Sequence, residues 1–291
     1  MNKYQKLNAI IHYVVKAVSL VTLLLLALIC FFILKESLGF VFSGNIKSIL
    51  SFSWRPLSKN PSFGLLSMIT GTLYIGLLAS LFALPMAIGC ALFISRYITG
   101  RLKYVTMSML DMLAGIPSVV YGFLGLVTIV KLLEKSKLLT TGESILAAVI
   151  TLTIMVIPFM ISSYVKAFDY ISNKYLLQTT ALGTSPWYNL THLVLQATKG
   201  HILTGYMLAL SRALGETMAV MMVVGNSTIA PKLLGKGITL SGLIALEMSG
   251  SQLGSLHYQS LYTAGAILML FLVIINYLIR KIDRKVNKYE S

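Results

Sequence analysis

Charge is scarce in this sequence, and acidic charge is scarcest. Charged residues make up 11% of the 291, with 9 Asp and Glu against 24 Lys and Arg. A soluble globular chain carries about 25% charged residues. So little charge excludes a chain that presents its whole surface to water. Cysteine is nearly absent. Cys30 and Cys90 both lie inside apolar runs, which excludes a disulfide scaffold and reads them as small buried hydrophobes. No CxxC, HExxH or phosphate-cradling P-loop occurs, so the chain has no recognisable means of hydrolysing ATP. His12, His192, His201 and His257 are scattered and give no metal-ligand spacing. No nucleophile–base set appears either. The pattern is not that of an enzyme, and it implies no cofactor.

Apolar sequence is what the chain has in abundance: hydrophobic residues make up 56% and mean hydropathy is +0.82. Six segments reach the ~20 residues needed to cross a bilayer. They are Ile10–Leu34, Leu65–Ser95, Tyr104–Val130, Ile145–Val165, Ile202–Val224 and Leu261–Ile279. Lipid satisfies no backbone polar group, so spanning segments are helices or a closed barrel. Barrel strands alternate over ~10 residues, whereas these runs are continuous. The predicted fold is therefore all-α and integral to the membrane, with six transmembrane helices. Lys3 and Lys6 give the start the look of a secretion signal. The apolar stretch that follows exceeds the ~7–15 residues of a signal core, and no Ala-x-Ala site follows it, so the first helix is expected to be retained.

The net charge of +15 sits mostly in connections and at the ends. It is read as setting orientation and meeting anionic lipid rather than nucleic acid. Arg96, Arg101 and Lys103 in one tight turn, with Arg280, Lys281, Arg284, Lys285 and Lys288 near the end, place both termini in the cytoplasm. Trp54 and Trp187 are expected as interfacial anchors. The inside connection 166–199 carries helix punctuation. Ser172 or Asn173 is expected to cap a short helix ending at Gly183, and Ser185-Pro186 to start a second. Pro85, Pro117 and Pro158 lie inside the second, third and fourth segments, where proline is expected to kink a helix and free a carbonyl. The loops 35–63 and 226–260 suit a partner or a pathway mouth.

The strongest local signal is Ser211-Arg212-Ala213-Leu214-Gly215-Glu216-Thr217. Arg212 and Glu216 are four apart and are expected to share a helix face. A charge at membrane depth costs at least ~2.5–3.5 kcal/mol, so such residues face a bundle interior or a water-filled path. Gly205, Ala209, Ala213 and Thr217 form a small row that admits a neighbouring helix. A purely structural ion pair would fit the same pattern. The functional reading gives Arg212 a tetrahedral oxyanion, which its planar fork suits, with Glu216 holding the guanidinium in place. Asp111 is expected to be an interfacial carboxylate or a partner of Arg101 or Lys103.

Four stretches then resemble the membrane permeases of phosphate ABC importers, of the PstC type. They are Trp54-Arg55-Pro56 with Phe63-Gly64 and Gly71-Thr72-Leu73; Gly115-Ile116-Pro117-Ser118-Val119-Val120-Tyr121-Gly122; Ala181-Leu182-Gly183 with Trp187; and Arg212 to Val220 with Gly225-Asn226. The resemblance implies a type I importer fold in the cytoplasmic (inner) membrane. It implies a sister permease, two ATPase subunits and an extracytoplasmic phosphate-binding protein as partners, and phosphate moved by alternating access. It also implies a cytoplasmic coupling hairpin over about 177–195, with Ala181, Leu182, Gly183 and Thr184 meeting the ATPase. Arg212 and Glu216 take the pathway role. Leu177-Gln178-Thr179 and Leu195-Gln196 depart from the Glu-Ala-Ala and Leu-Pro usual in such permeases. The division expected is 1–66 for the first helix and external loop, 67–281 for the permease domain and 282–291 for a cytoplasmic tail. Another oxyanion, sulfate or molybdate, would fit the same architecture, and a self-sufficient secondary transporter or channel is the alternative of a different class.

Overall fold

The computed structural model describes residues 3–136, 141–175, 179 and 181–290. Among them, four helices are long and apolar enough to cross a membrane. They are α1 (Lys3–Phe40), α2 (Leu66–Tyr97), α5 (Ile145–Lys174) and α10 (Leu256–Glu290). A fifth crossing is a bent pair, α3 (Gly100–Ala114) and α4 (Ser118–Lys135), whose axes differ by 85°. Shorter helices complete the chain: α6 over 186–197, α7 (Lys199–Leu214), α8 (Met218–Met221) and α9 (Leu240–Glu247). Strands β1 (Trp54–Arg55) and β2 (Ser62–Phe63) pair antiparallel in the first long loop.

Helix α5 is the centre. It is the most buried of the spanning helices, with 72% of its apolar window inside the structure. Leu152, Met155, Val156, Met160, Tyr164 and Phe168 along it have essentially no exposed surface. Helix α2 packs along α5 through Ala79, Ala83, Ala87 and Ala91, all fully buried and each four residues from the next. Methyl side chains at that spacing leave a shallow groove in which two backbones can approach. Thr153 Oγ1, at 3.3 Å from the carbonyl of Ala79, joins the pair directly. Ser144 caps α5, accepting from the Ala147 amide at 3.1 Å.

Two predicted crossings are not single helices. The third breaks at Gly115–Pro117. Gly115 ends α3, and the ring of Pro117 denies the helical conformation to Ile116. The hydroxyl of Tyr121 then donates to the carbonyl of Leu113 across the bend, at 2.9 Å. The fifth is α7, 16 residues long, which stops at Leu214. At 1.5 Å per residue it reaches only about 24 Å, short of a ~30 Å hydrocarbon core.

The loops gather at two ends. At one, Lys103 pairs with Asp169 at 2.7 Å and Ser95 donates to the same carboxylate, so the α2–α3 turn is tied to the end of α5. At the other, residues 223–240 return onto the start of α2 and α5. The amides of Ser144, Ile145 and Leu146 donate to the carbonyls of Val223, Gly235 and Leu233. The amide of Leu240 donates to Thr72 Oγ1 at 2.9 Å. A side chain at Gly71 would lie 2.5 Å from the carbonyl oxygen of Ile238, which explains the glycine in Gly71-Thr72.

Three local expectations are corrected here. Trp54 is buried rather than interfacial, and its Nε1 donates to both carboxylate oxygens of Glu247 at 3.0 and 3.1 Å. Cys90 is exposed on the outside of this chain rather than buried, because α2 turns only its alanine face to α5. Ser172 and Asn173 start no helix, because α5 continues through them to Lys174.

Candidate functional site

Helix α7 carries the signal residues. Its small row packs as expected: Gly205, Ala209 and Ala213 are buried. A side chain at Gly205 would lie 2.5 Å from the ring of Tyr164 on α5. Arg212 lies seven residues from Gly205 and three from Ala209, so it shares that side of the helix and also faces α5. The guanidinium is half-buried. Its Nη2 donates to the carbonyl of Ala114 at 3.3 Å, the last residue of α3. Its central carbon lies 5.8 Å from the centre of the Phe159 ring on α5. Arg212 thus sits where α3 ends, over an aromatic face that attracts a cation.

Arg212 and Glu216 do not form the expected ion pair. The i, i+4 argument needs a continuous helix, and α7 ends at Leu214 with Gly215 as its cap. Glu216 instead turns to the next element. Its Oε1 accepts from the Ala219 amide at 3.3 Å, capping α8, and its carbonyl accepts from Ser241 Oγ at 3.0 Å. Helix α8 lies against α4, where a side chain at Gly122 would come 2.8 Å from the Cα of Ala219. Gly225 and Asn226 follow with φ of 82° and 45°, the left-handed turn that sends the chain back.

Below Arg212 lies a cavity of about 570 Å³ between α3, α5 and α7. Asp111, Ala114, Phe159, Ser162, Ser163, Lys166, Ala167, His201, Thr204 and Leu208 line it. Ala114 and Phe159, the two residues that hold Arg212, are among them. The cavity therefore runs from Lys166 and His201, near the end tied by Lys103, to the two residues that hold the guanidinium; Arg212 itself is not part of its lining. Asp111 does not pair with Arg101 or Lys103. Ser162 Oγ donates to its Oδ1 at 2.8 Å, and Lys103 takes Asp169 instead. The lining combines an ammonium, an imidazole, a carboxylate and three hydroxyls in an otherwise apolar bundle. Sequence reasoning missed this grouping. Asp111 and Ser162 are 51 residues apart, on helices that meet only in the folded bundle.

The hairpin between α5 and α7 keeps its predicted turn. Gly183 has φ of 62°, the left-handed position that ends a helix. The Thr184 amide donates back to the carbonyl of Thr179 at 3.3 Å, closing the helix end. Thr184 Oγ1 also bonds Asn189 Oδ1 at 2.7 Å. Ser185 Oγ accepts from the Tyr188 amide at 3.2 Å and so caps α6, which opens at Pro186. Ala181, Leu182 and Gly183 are exposed, Leu182 at 77%. Trp187 is 65% exposed on the same hairpin. Leu177 and Gln178 lie outside the described residues.

Apolar spanning helices around a cavity that carries charged and hydroxyl side chains, with an exposed helical hairpin at one end, define a membrane permease component. The chain belongs to the family described as binding-protein-dependent transport system inner membrane component, whose profile matches residues 83–288. It is a multi-pass inner-membrane transport subunit. It is 32% identical over 238 residues to the probable ABC transporter permease protein YqgH of Bacillus subtilis, covering 80% of this chain and 77% of that one. It is 34% identical over 231 residues to the probable phosphate transport system permease protein PstC of Methanocaldococcus jannaschii, covering 74% and 73%. The PstC of Mesorhizobium japonicum is 29% identical over 309 residues, covering 98% and 94%. In solved structures, a chain of the inward-facing MetNI methionine ABC transporter superposes with a TM-score of 0.58 at 16% identity, covering 76% of this chain and 95% of that one. That likeness is one of fold.

Proposed function

We infer that this chain is a permease subunit of an ATP-driven phosphate importer and moves inorganic phosphate by alternating access. The observation that carries the reading is the guanidinium of Arg212 held against Ala114 and Phe159, two residues that line a cavity carrying Lys166, His201 and Asp111, in a chain related over most of its length to phosphate permeases. A planar cation with paired donors suits a tetrahedral oxyanion, and the low-dielectric surroundings strengthen the attraction. Glu216 belongs to the same path in a different way. By accepting from the Ala219 amide it holds the chain that follows Arg212 to the start of α8.

The importer requires ATPase subunits and a binding protein. We take the hairpin end as cytoplasmic, with both termini there, and the Trp54 end as facing the binding protein. The exposed tip at Ala181, Leu182, Gly183 and Thr184 is the surface offered to the ATPase. A sister permease of the PstA kind completes the pair. Residues 67–281 form the permease domain, with 1–66 a helix and external loop ahead of it and 282–291 a tail.

Substituting Arg212→Ala is expected to abolish phosphate uptake by the assembled importer while membrane insertion persists. Uptake at the wild-type rate would refute the pathway role. Sulfate or molybdate that competes as well as phosphate would favour the broader oxyanion reading. Uptake by this chain alone in liposomes, without an ATPase, would establish a secondary transporter or channel.

A further inference from the structure

The cavity below Arg212 also holds a carboxylate, which a path for anions would be expected to avoid. Asp111 lines it on α3, three residues before Ala114, whose carbonyl binds Arg212. The two are neighbours on one helix face, a single turn apart. Ser162, itself buried, donates to Asp111 Oδ1 at 2.8 Å and so fixes the carboxylate against α5. Lys166 lies one turn further along α5 on the same wall, with His201 across the cavity. An ionised carboxylate has about four lone-pair sites and no proton to give. One hydrogen bond from Ser162 leaves it capacity for a further donor.

Tetrahedral oxyanions differ in whether they bring such a donor. Phosphate and arsenate have an ionisation near neutrality and a last one well above it, so each keeps at least one O–H. Sulfate keeps none. Against Asp111 the first two can donate a short charge-assisted bond, whereas sulfate offers oxygen to oxygen and meets only like charge. Arg212 and Lys166 attract all three alike.

We propose that Asp111 is the specificity-determining residue of this path, accepting a hydrogen bond from the retained O–H of the anion and so favouring protonated oxyanions over fully ionised ones. Ser162 is its positioning residue. The inference rests on the phosphate reading above and deepens it. Discrimination here would act on anions already inside the permease, independently of any choice made by a binding protein.

The test is inhibition from the cavity side. The assembled importer, with its ATPase and binding protein, is reconstituted in proteoliposomes taking up labelled phosphate, with unlabelled phosphate, arsenate or sulfate present on the hairpin side. In the wild type, arsenate is expected to inhibit as phosphate does, and sulfate about tenfold more weakly. Asp111→Asn, whose amide can donate, is expected to bring the sulfate-to-phosphate ratio close to one, while Asp111→Glu keeps it well apart. A wild-type ratio in D111N, or equal inhibition by sulfate in the wild type, overturns the proposal and leaves the phosphate reading standing. A wild type that takes up no phosphate overturns both. Should D111N fail to assemble, Ser162→Ala decides: a narrowed ratio supports the positioning role, and an unchanged one removes it.

Discussion

Glycine positions in this chain separate sharply by what surrounds them. A side chain at Gly122 would meet the Cα of Ala219 at 2.8 Å and Met222 Sδ at 2.9 Å, the first of which is backbone and cannot swing away. Gly89 on α2 has nothing within 4 Å. Forcing extra volume into a packed contact costs about 1–3 kcal/mol. Gly122→Leu is therefore expected to lower the thermal unfolding midpoint of the purified protein in detergent, and Gly89→Ala to leave it unchanged or raise it slightly. Equal midpoints would show that α4 and α8 are not held together as described. Arg212 illustrates the same dependence on surroundings. Its charge was evident from its position in an apolar run, but its partners were not. The carbonyl of Ala114 and the ring of Phe159 lie far away in the chain, and the nearby Glu216 turns elsewhere.

At the scale of elements, the hairpin and the broken crossings decide what the protein can do. The turn at Gly183 depends on a left-handed residue with open space around it, so only backbone strain opposes substitution. That strain is about 1–2 kcal/mol for a residue with a Cβ, and least for Asn. Gly183→Ala is expected to reduce phosphate uptake several-fold while the permease still inserts and Gly183→Asn retains most activity. If both variants transport as the wild type does, the hairpin geometry does not matter to coupling. The pair α3–α4 shows how one proline reorganises a crossing. Asp111 and Ala114 line the cavity from α3, ahead of the bend, and the bend at Pro117 turns α4 away toward α8.

For the whole molecule, much apolar surface has no cover within the chain. Helix α3 has no buried residue. Met112 is 75% exposed, in the turn before the bend, and Tyr104 is 74% exposed. In a bilayer such a face meets lipid or a second permease, and α3 also walls the cavity, so the pathway of a two-permease importer would run along it. If the proposed second permease packs there, a cysteine placed by Met112→Cys is expected to be joined to it by a thiol-to-amine crosslinker in the assembled complex. Efficient labelling there by a lipid-soluble thiol reagent, with no crosslink, would place α3 against lipid instead.

The sequence by itself determined that this chain lives in a membrane, that the hairpin turns at Gly183 and that α7 has a small face. These follow from composition, run length and φ preferences, all of which are local. It also determined the family, because motifs such as Gly115–Gly122 are contiguous in the chain. Only the tertiary structure decided that Arg212 rests on Ala114 and Phe159, that Glu216 caps α8, that Trp54 is bound to Glu247 and that Asp111 meets Ser162. Those partners are set by which helices touch and where they break. A helix terminus at Leu214 or a bend at Pro117 shifts every contact beyond it, and hydropathy, which averages over a span, does not register a break of three residues.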